Sequence, residues 1–229
     1  GVIAMAQHGA ETNNASFSPS PEGTPGRMRA GIFTRNTTSR VDDLDSAYDG
    51  QVLMHEYAHG VSNRLVGTLT STSCLEKTQS GAMGEGWSDY FAISYYSNPV
   101  MGAYVAARAS RGIRRQSYDG YTYTYEDIGN QGYEVHNDGE IWAATLWDLR
   151  KALGQTVTDQ LVLDGLKGTP CSPSMTDARD AILSADQAAN KGANRAAIWD
   201  VFAKHGMGFS ATGVEGTALT GTVYDAAFD

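Results

Sequence analysis

The chain of 229 residues has little cysteine, little proline and a deficit of positive charge. Its 17 Lys and Arg are outnumbered by 26 Asp and Glu, which gives a net charge of -9 at pH 7. Phosphate backbones are bound by clustered Lys and Arg, so this balance argues against a nucleic-acid partner. Polar residues interrupt every apolar run well before the ~20 residues that a membrane span needs, so no membrane partner is expected.

One short motif carries most of the chemical information. His55-Glu56-Tyr57-Ala58-His59 places two imidazoles four residues apart, with a carboxylate beside the first. On a helix, residues i and i+4 lie on the same face, so both histidines can bind one metal ion. From i+1 the carboxylate can reach a water on the open side of the metal and act as general base. The motif predicts a hydrolytic zinc site.

A catalytic zinc ion usually has three protein ligands, so a third ligand is expected elsewhere. Glu85 is the best candidate, because it lies where a second apolar helix begins, ending near residues 96–97. Asp89 follows one helical turn later and can accept a hydrogen bond from the distal nitrogen of a ligating histidine.

The predicted strands and helices are distributed unevenly along the chain. Residues 1–40 are rich in Gly, Pro, Ser, Thr and Asn, with one predicted strand at 27–34. Apolar periodicity predicts later helices. They cover roughly residues 99–110, 139–153, 157–166, 176–189 and 195–204, with Thr176 as an N-cap.

At this point the chain resembles the fungalysin (M36) metallopeptidases, which belong to the thermolysin-like group. The resemblance is carried by residues 13–17, 25–29, 55–65, 84–89, 112–115, 135–136, 139–143, 164–167 and 178–182. It implies an α+β fold with a short strand-bearing N-terminal part and a mainly helical C-terminal part. We place the division at 1–65, which includes the zinc-binding helix, and 66–229.

The resemblance also implies functional roles. Zinc would be held by His55, His59 and Glu85, with Glu56 as general base and Asp89 as partner of a ligating histidine. His136 resembles the histidine that donates a hydrogen bond to the oxyanion in thermolysin-like enzymes. Either of two carboxylates could orient it, those of Glu134 and Asp138.

Substrate contacts are also implied. Asn14 and Ala15 resemble the start of an edge strand that pairs with an extended peptide. Arg114 or Arg115 could contact the carbonyl beside the scissile bond. Two interpretations are open for Tyr133 and the tyrosine-rich run 118–125. These residues either line the cleft or are strand residues.

The family further implies a secreted enzyme acting on proteins or peptides, in which another β-rich stretch of the catalytic domain precedes Gly1. Cys74 and Cys171 then pair as a disulfide or remain as two buried thiols. The family's additional cysteine near residues 194–199 is replaced here by alanine.

Acidic residues before the zinc helix are either a calcium site or a solvated loop. They are Asp42, Asp43, Asp45 and Asp49.

Three functions remain open at the level of sequence. The first is a secreted zinc endopeptidase that cuts internal peptide bonds. The second is a non-catalytic zinc-containing fragment that binds peptides or completes an assembly. The third is a zinc hydrolase of small molecules, because the zinc motif does not encode a peptide substrate.

Overall fold

The computed structural model describes residues 1–34, 42–66, 71–215 and 223–229. Helices dominate and the strands are short, which confirms the expected α+β class. None of the helices in these ranges is both long and apolar enough to cross a membrane.

Seven short strands form three small sheets within the described ranges. They are β1 (Val2–Met5), β2 (Ala15–Ser18), β3 (Gly26–Ala30), β4 (Ile32–Phe33), β5 (Leu44–Asp45), β6 (Thr212–Val214) and β7 (Val223–Asp225). The first sheet has the order β1-β3-β2, and β1 runs parallel to β3 while β2 runs antiparallel to it. β4 pairs with β5, and β6 pairs with β7. β2 is therefore an edge strand.

The single strand predicted at residues 27–34 is wrong, because the segment divides at Gly31 between two sheets. A Cβ on Gly31 would lie 2.2 Å from the carbonyl oxygen of Glu11, so the backbone passes too close to its neighbour for any side chain. Gly31 is the local signal at this point, because a glycine within a strand pattern often marks a close approach of another backbone.

The helices follow from residue 50 onward. They are α1 (Gly50–Leu65), α2 (Thr78–Tyr96), α3 (Ala103–Ala106), α4 (Val135–Leu153), α5 (Gln155–Gly168), α6 (Met175–Asn190) and α7 (Arg195–Lys204). The four predicted C-terminal helices are confirmed to within a few residues. α4 begins earlier than predicted, which places His136 in its first turn.

Two helix predictions are wrong in detail. The helix predicted at residues 99–110 shrinks to the single turn α3, because Gly102 and Ala107 on its two sides adopt left-handed conformations with φ of 61° and 49°. The N-cap of α6 is Ser174, not Thr176, and it forms a capping box with Asp177.

The core is built around α2, which packs between α1 and α4. Trp87 of α2 and Trp142 of α4 meet edge to face with ring centroids 5.7 Å apart, and both are fully buried. Val52 of α1 belongs to the same apolar cluster. The helix with the two motif histidines thus rests on the same core as the C-terminal helices, and the division at residue 65 stays a prediction.

Small residues bring the strands close to α1. The ring of Phe17, on β2, lies so near Gly60 that a Cβ there would be 2.5 Å from its Cζ atom. Because Gly60 has no side chain, β2 can pack against α1 at the residue that directly follows His59.

A disulfide links Cys74 to Cys171 across 97 residues of sequence, which decides between the two expectations for the cysteines. Cys74 lies between α1 and α2, and Cys171 lies between α5 and α6. The carbonyl of Cys74 also accepts a hydrogen bond from Ser172 N at 3.0 Å. The disulfide anchors the loop that leads into α2.

Candidate metal centre and cavity

The two motif histidines are presented by one well-capped helix. The carboxylate of Asp49 accepts hydrogen bonds from the first free N–H groups of α1, those of Gln51 at 3.1 Å and Val52 at 3.3 Å. One turn further, the Nε2 atoms of His55 and His59 lie 3.1 Å apart. Both rings therefore direct their Nε2 atoms toward a common point.

Glu85 of α2 brings a carboxylate to the two imidazoles. Its Oε2 atom is 3.2 Å from His55 Nε2, and its Oε1 atom is 3.5 Å from His59 Nε2. Oε2 is buried and has no well-formed hydrogen bond from any described residue. A buried acceptor without a donor is costly, and a cation would remove that cost.

The spacing of these three side chains suits one zinc ion. Neighbouring ligand atoms of a tetrahedral zinc site with bonds of about 2.0–2.2 Å are about 3.3–3.5 Å apart. The shortest distances between the three groups are 3.1, 3.2 and 3.5 Å. Within the ranges described, this is the group of histidines and carboxylates that could hold a metal. The donor set and its dimensions therefore fit zinc.

Asp89 lies behind His55 and is fully buried. Its Oδ1 atom is 2.7 Å from His55 Nδ1, and the guanidinium of Arg114 donates to both of its oxygens, at 2.6 and 2.8 Å. The hydroxyl of Tyr118 donates a further, short hydrogen bond. Burial alone would raise the pKa of Asp89, but the charge of Arg114 and the bond from His55 hold it well below its usual range. An ionised Asp89 makes Nδ1 of His55 a donor, which leaves Nε2 to face Glu85.

The surroundings act in opposite directions on the two histidines. Burial alone would lower the pKa of His55, but the hydrogen bond and charge of Asp89, with help from Glu85, raise it to about 10. Burial and the neighbouring His55 lower the pKa of His59 to about 4. A protonated His55 carries one proton on Nδ1, toward Asp89, and one on Nε2, toward Glu85, and a metal cation can replace the proton on Nε2.

Glu56 lies beside the candidate ligands and faces the cavity. Its side chain is buried, and this burial raises the pKa to about 7. A carboxyl group that takes and releases a proton near neutral pH suits a general base.

His136 approaches Glu85 from the start of α4. Its Nε2 atom is 3.4 Å from Glu85 Oε2, and its Nδ1 atom is 2.6 Å from Glu134 Oε1. Glu134 is also the N-cap of α4 and accepts from Asn137 N at 2.8 Å. The hydrogen bond from His136 keeps the pKa of Glu134 below its ordinary value, although partial burial acts the other way. Asp138 accepts from Gly129 N instead, so Glu134 is the carboxylate in contact with His136.

These groups line a cavity of about 740 Å³. Asn14 and Ala15 form one wall, where β2 begins, and Arg114 lies on another. Tyr133 is not among the described residues that line the cavity, and its ring packs over Gly129 instead. As a substrate contact, Tyr133 stays a prediction.

The acidic segment before α1 has two carboxylates that serve as caps. Asp45 accepts from Ala47 N at 2.9 Å, and Asp49 caps α1 and accepts from Val105 N at 3.2 Å. Asp42 and Asp43 are exposed. Calcium at this segment stays a prediction.

Several residues around the centre are not indicated by sequence motifs. The tyrosine-rich run forms no strand, and two of its buried members, Tyr118 and Tyr121, donate hydrogen bonds from their hydroxyl groups to Asp89 and Glu140. Arg115 contacts Glu140 as well. The sequence signal for this network is the recurrence of tyrosine in a polar segment. It indicates that some of these rings are buried, but it does not identify their partners.

Comparison with known proteins identifies the family of the chain. Residues 1–211 match the family model described as fungalysin metallopeptidase (M36). The chain is similar to "Extracellular metalloproteinase 3" of Trichophyton tonsurans, with 38% identity over 243 residues that cover 92% of this chain and 37% of the relative. The protein of the same name from Trichophyton soudanense is also 38% identical, and there the match covers 61% of the relative.

The chain thus spans less than two thirds of the length of these relatives. Within that span the family match includes both motif histidines, Glu85 and His136. The chain belongs to the fungalysin (M36) metallopeptidases.

Proposed function

We propose that this chain carries the catalytic centre of a secreted zinc endopeptidase that hydrolyses internal peptide bonds of proteins. The observation that carries the proposal is the joint position of His55, His59 and Glu85, with Glu56 beside them, in one cavity. The names of the relatives, which call them extracellular metalloproteinases, support secretion and a proteinase activity. We assign the arrangement to the thermolysin-like type.

The ligands in this proposal are the Nε2 atoms of His55 and His59 and the carboxylate of Glu85. Bound zinc would polarise the scissile carbonyl and make water a better nucleophile. Asp89 orients His55 through Nδ1, and Arg114 neutralises Asp89 in the buried interior.

Proton transfer and oxyanion stabilisation are assigned to side chains of the protein. Glu56 removes a proton from the attacking water and can pass it to the leaving amine. His136 donates from Nε2 to the oxygen that becomes negatively charged, while Glu134 accepts from Nδ1. A ring that donates from both nitrogens carries a proton on each of them.

An extended peptide would lie along β2, which is an edge strand whose first residues line the cavity. Backbone pairing with Ala15 would hold substrates without regard to their sequence. Asn14 and Arg114 would contact the peptide near the scissile bond.

The test compares the parent chain with Glu56→Gln on an unfolded protein, with products mapped by mass spectrometry. We expect internal cuts by the parent, and turnover lowered by about 10²–10⁴-fold in the variant, because the amide cannot take the proton. Zinc content, measured by elemental analysis, should stay the same. Glu126→Gln is the matched control, since Glu126 is exposed and lies outside the cavity lining.

Retained turnover in Glu56→Gln would refute the role of Glu56 as base. Zinc bound by both proteins without any cuts would instead favour a zinc-containing fragment that binds peptides. Cleavage of small esters or amides without cuts in proteins would favour a hydrolase of small molecules.

A further inference from the structure

Glu140 is a buried carboxylate that has no part in the proposed chemistry. It lies on α4 one turn after His136, and its side chain is 2% exposed. It accepts from the backbone N–H of Arg115 at 3.1 Å, from Arg115 Nε at 3.3 Å and from the hydroxyl of Tyr121 at 2.9 Å. A buried charge with this many donors is held in one position.

Arg115 extends this network to the start of α4. Its Nη2 atom donates to the carbonyl oxygen of Asn137, the residue after His136, and to the Tyr121 hydroxyl at 2.7 Å. Its guanidinium also stacks 4.4 Å from the ring centroid of Tyr123. The side chain therefore fastens its own loop to the backbone of the first turn of α4.

The preceding residue fastens the same loop to the metal centre. Arg114 donates to Asp89, which contacts His55. Two consecutive arginines thus reach the two sides of the cavity, one toward the candidate ligands and one toward His136. Both contacts therefore come from adjacent residues of one loop.

His136 needs such an anchor because its own side-chain contacts are weak. The side chains of His136 and Glu134 are 49% and 45% exposed, and an ion pair so exposed contributes only about 0–1 kcal/mol. An oxyanion donor must be held to within about 0.5 Å of its productive position. The Arg115 and Glu140 side chains are better shielded, at 19% and 2% exposed, and their contact with the first turn can supply that precision where the exposed pair cannot.

We infer that Arg115 and Glu140 are positioning residues that hold His136 against the metal centre through the carbonyl of Asn137. The inference rests on the proposed function for its effect on turnover. Its structural part, the anchoring of the first turn of α4, can be measured without turnover.

The test is a double-mutant cycle with the full chain, using Arg115→Ala, His136→Ala and the double variant. Arg115→Ala should lower kcat by at least about tenfold with little change in KM, because misplacement of about 1 Å can cost up to ~10² in rate. In the His136→Ala background, the same change should lower kcat by less than about twofold, since its target is gone. Arg195→Ala, at the exposed start of α7, is the matched control.

Hydrogen exchange measured by mass spectrometry supplies the second readout. The amides at the start of α4 should exchange faster in Arg115→Ala, while those of α2 keep the parent rate. Arg115→Lys serves if Arg115→Ala folds poorly, because lysine keeps the charge beside Glu140 and loses the forked contact.

Equal losses of kcat in both backgrounds, or unchanged exchange at the start of α4, would overturn the inference. If the parent makes no cuts, the proposed function fails, and the exchange measurement alone then decides whether Arg115 anchors this turn.

Discussion

At the scale of single residues, Asp89 is the clearest example of a buried charge that organises its neighbours. It lies on α2 one turn after Glu85 and contacts His55, Arg114 and Tyr118. Each partner satisfies part of a carboxylate that would otherwise be costly to bury. One acidic side chain therefore fixes the orientation of a candidate ligand and neutralises an arginine on the cavity wall.

The Asp89→Asn variant should bind zinc about 10–100-fold more weakly, because an amide holds the His55 ring less strongly and supplies no negative charge. Competition with a chelator at pH 7 measures this affinity on protein that circular dichroism shows to be folded. Asp148→Asn is the matched control, since Asp148 is also a carboxylate paired with a histidine, His205 at 3.0 Å, but lies away from the centre. Equal zinc affinity in parent and Asp89→Asn would contradict the assignment.

Sequence reasoning reached the residues whose geometry is local. The i and i+4 spacing of the histidines implies a shared face, because helix geometry alone sets it. The partner of His136 could not be chosen from the sequence, since Glu134 and Asp138 are both close along the chain. The contacts of Glu140 could not be predicted from the sequence, because its partners Arg115 and Tyr121 lie 25 and 19 residues earlier in the chain. No local sequence pattern indicates that these residues are in contact.

At the scale of elements, α2 and α4 approach each other closely beside the candidate centre. A Cβ on Gly86 would lie 2.5 Å from the carbonyl oxygen of Gly139, and a Cβ on Gly139 would lie 2.4 Å from that of Ala82. Two facing glycines thus let the helices touch through their backbones. This contact brings His136 within reach of Glu85.

Gly86→Ala should lower the free energy of unfolding by about 1–3 kcal/mol, because the added methyl group meets backbone that must shift. Gly84→Ala, on the same helix, is the control: its Cβ would lie 3.7 Å from the Leu75 side chain, an ordinary contact. That variant should equal the parent or gain up to about 1 kcal/mol from helix propensity. Denaturant titration distinguishes the two, and equal stability of both variants would contradict the close contact.

The elements that sequence periodicity predicted well are the long helices with a continuous apolar face. The helix expected at residues 99–110 failed because composition does not reveal left-handed residues such as Ala107. The strand at residues 27–34 failed at Gly31, where a neighbouring carbonyl and not the segment itself decides the backbone path. At Gly31 a tertiary contact therefore overrode the local strand preference.

At the scale of the whole molecule, the cavity lies between the strand-bearing part and the helices, and a covalent bond secures one of its walls. The loop that contains Cys74 also contributes Thr72, Leu75 and Glu76 to the cavity lining. Through the disulfide, this loop is tied to the segment between α5 and α6.

The double variant Cys74→Ser with Cys171→Ser should lose about 4–5 kcal/mol of stability, since a bond that closes a loop of 97 residues restricts the unfolded chain strongly. The denaturant midpoint of the parent should fall to the same value when a reductant is added, and that of the variant should not respond. An unchanged midpoint in the variant would show that the bond contributes little.

Glu215 links the end of the described C-terminal segment to the beginning of α2. Its carboxylate accepts from Ser80 N at 2.6 Å and from Gln79 N at 3.2 Å, so it satisfies the free amides of the helix that carries Glu85. During synthesis, the ribosome must add 135 further residues after Ser80 before this cap exists. A nascent chain therefore lacks this cap on the helix that carries Glu85 until those residues have been added, so the amino-terminal end of α2 is completed only after the whole helix has been made.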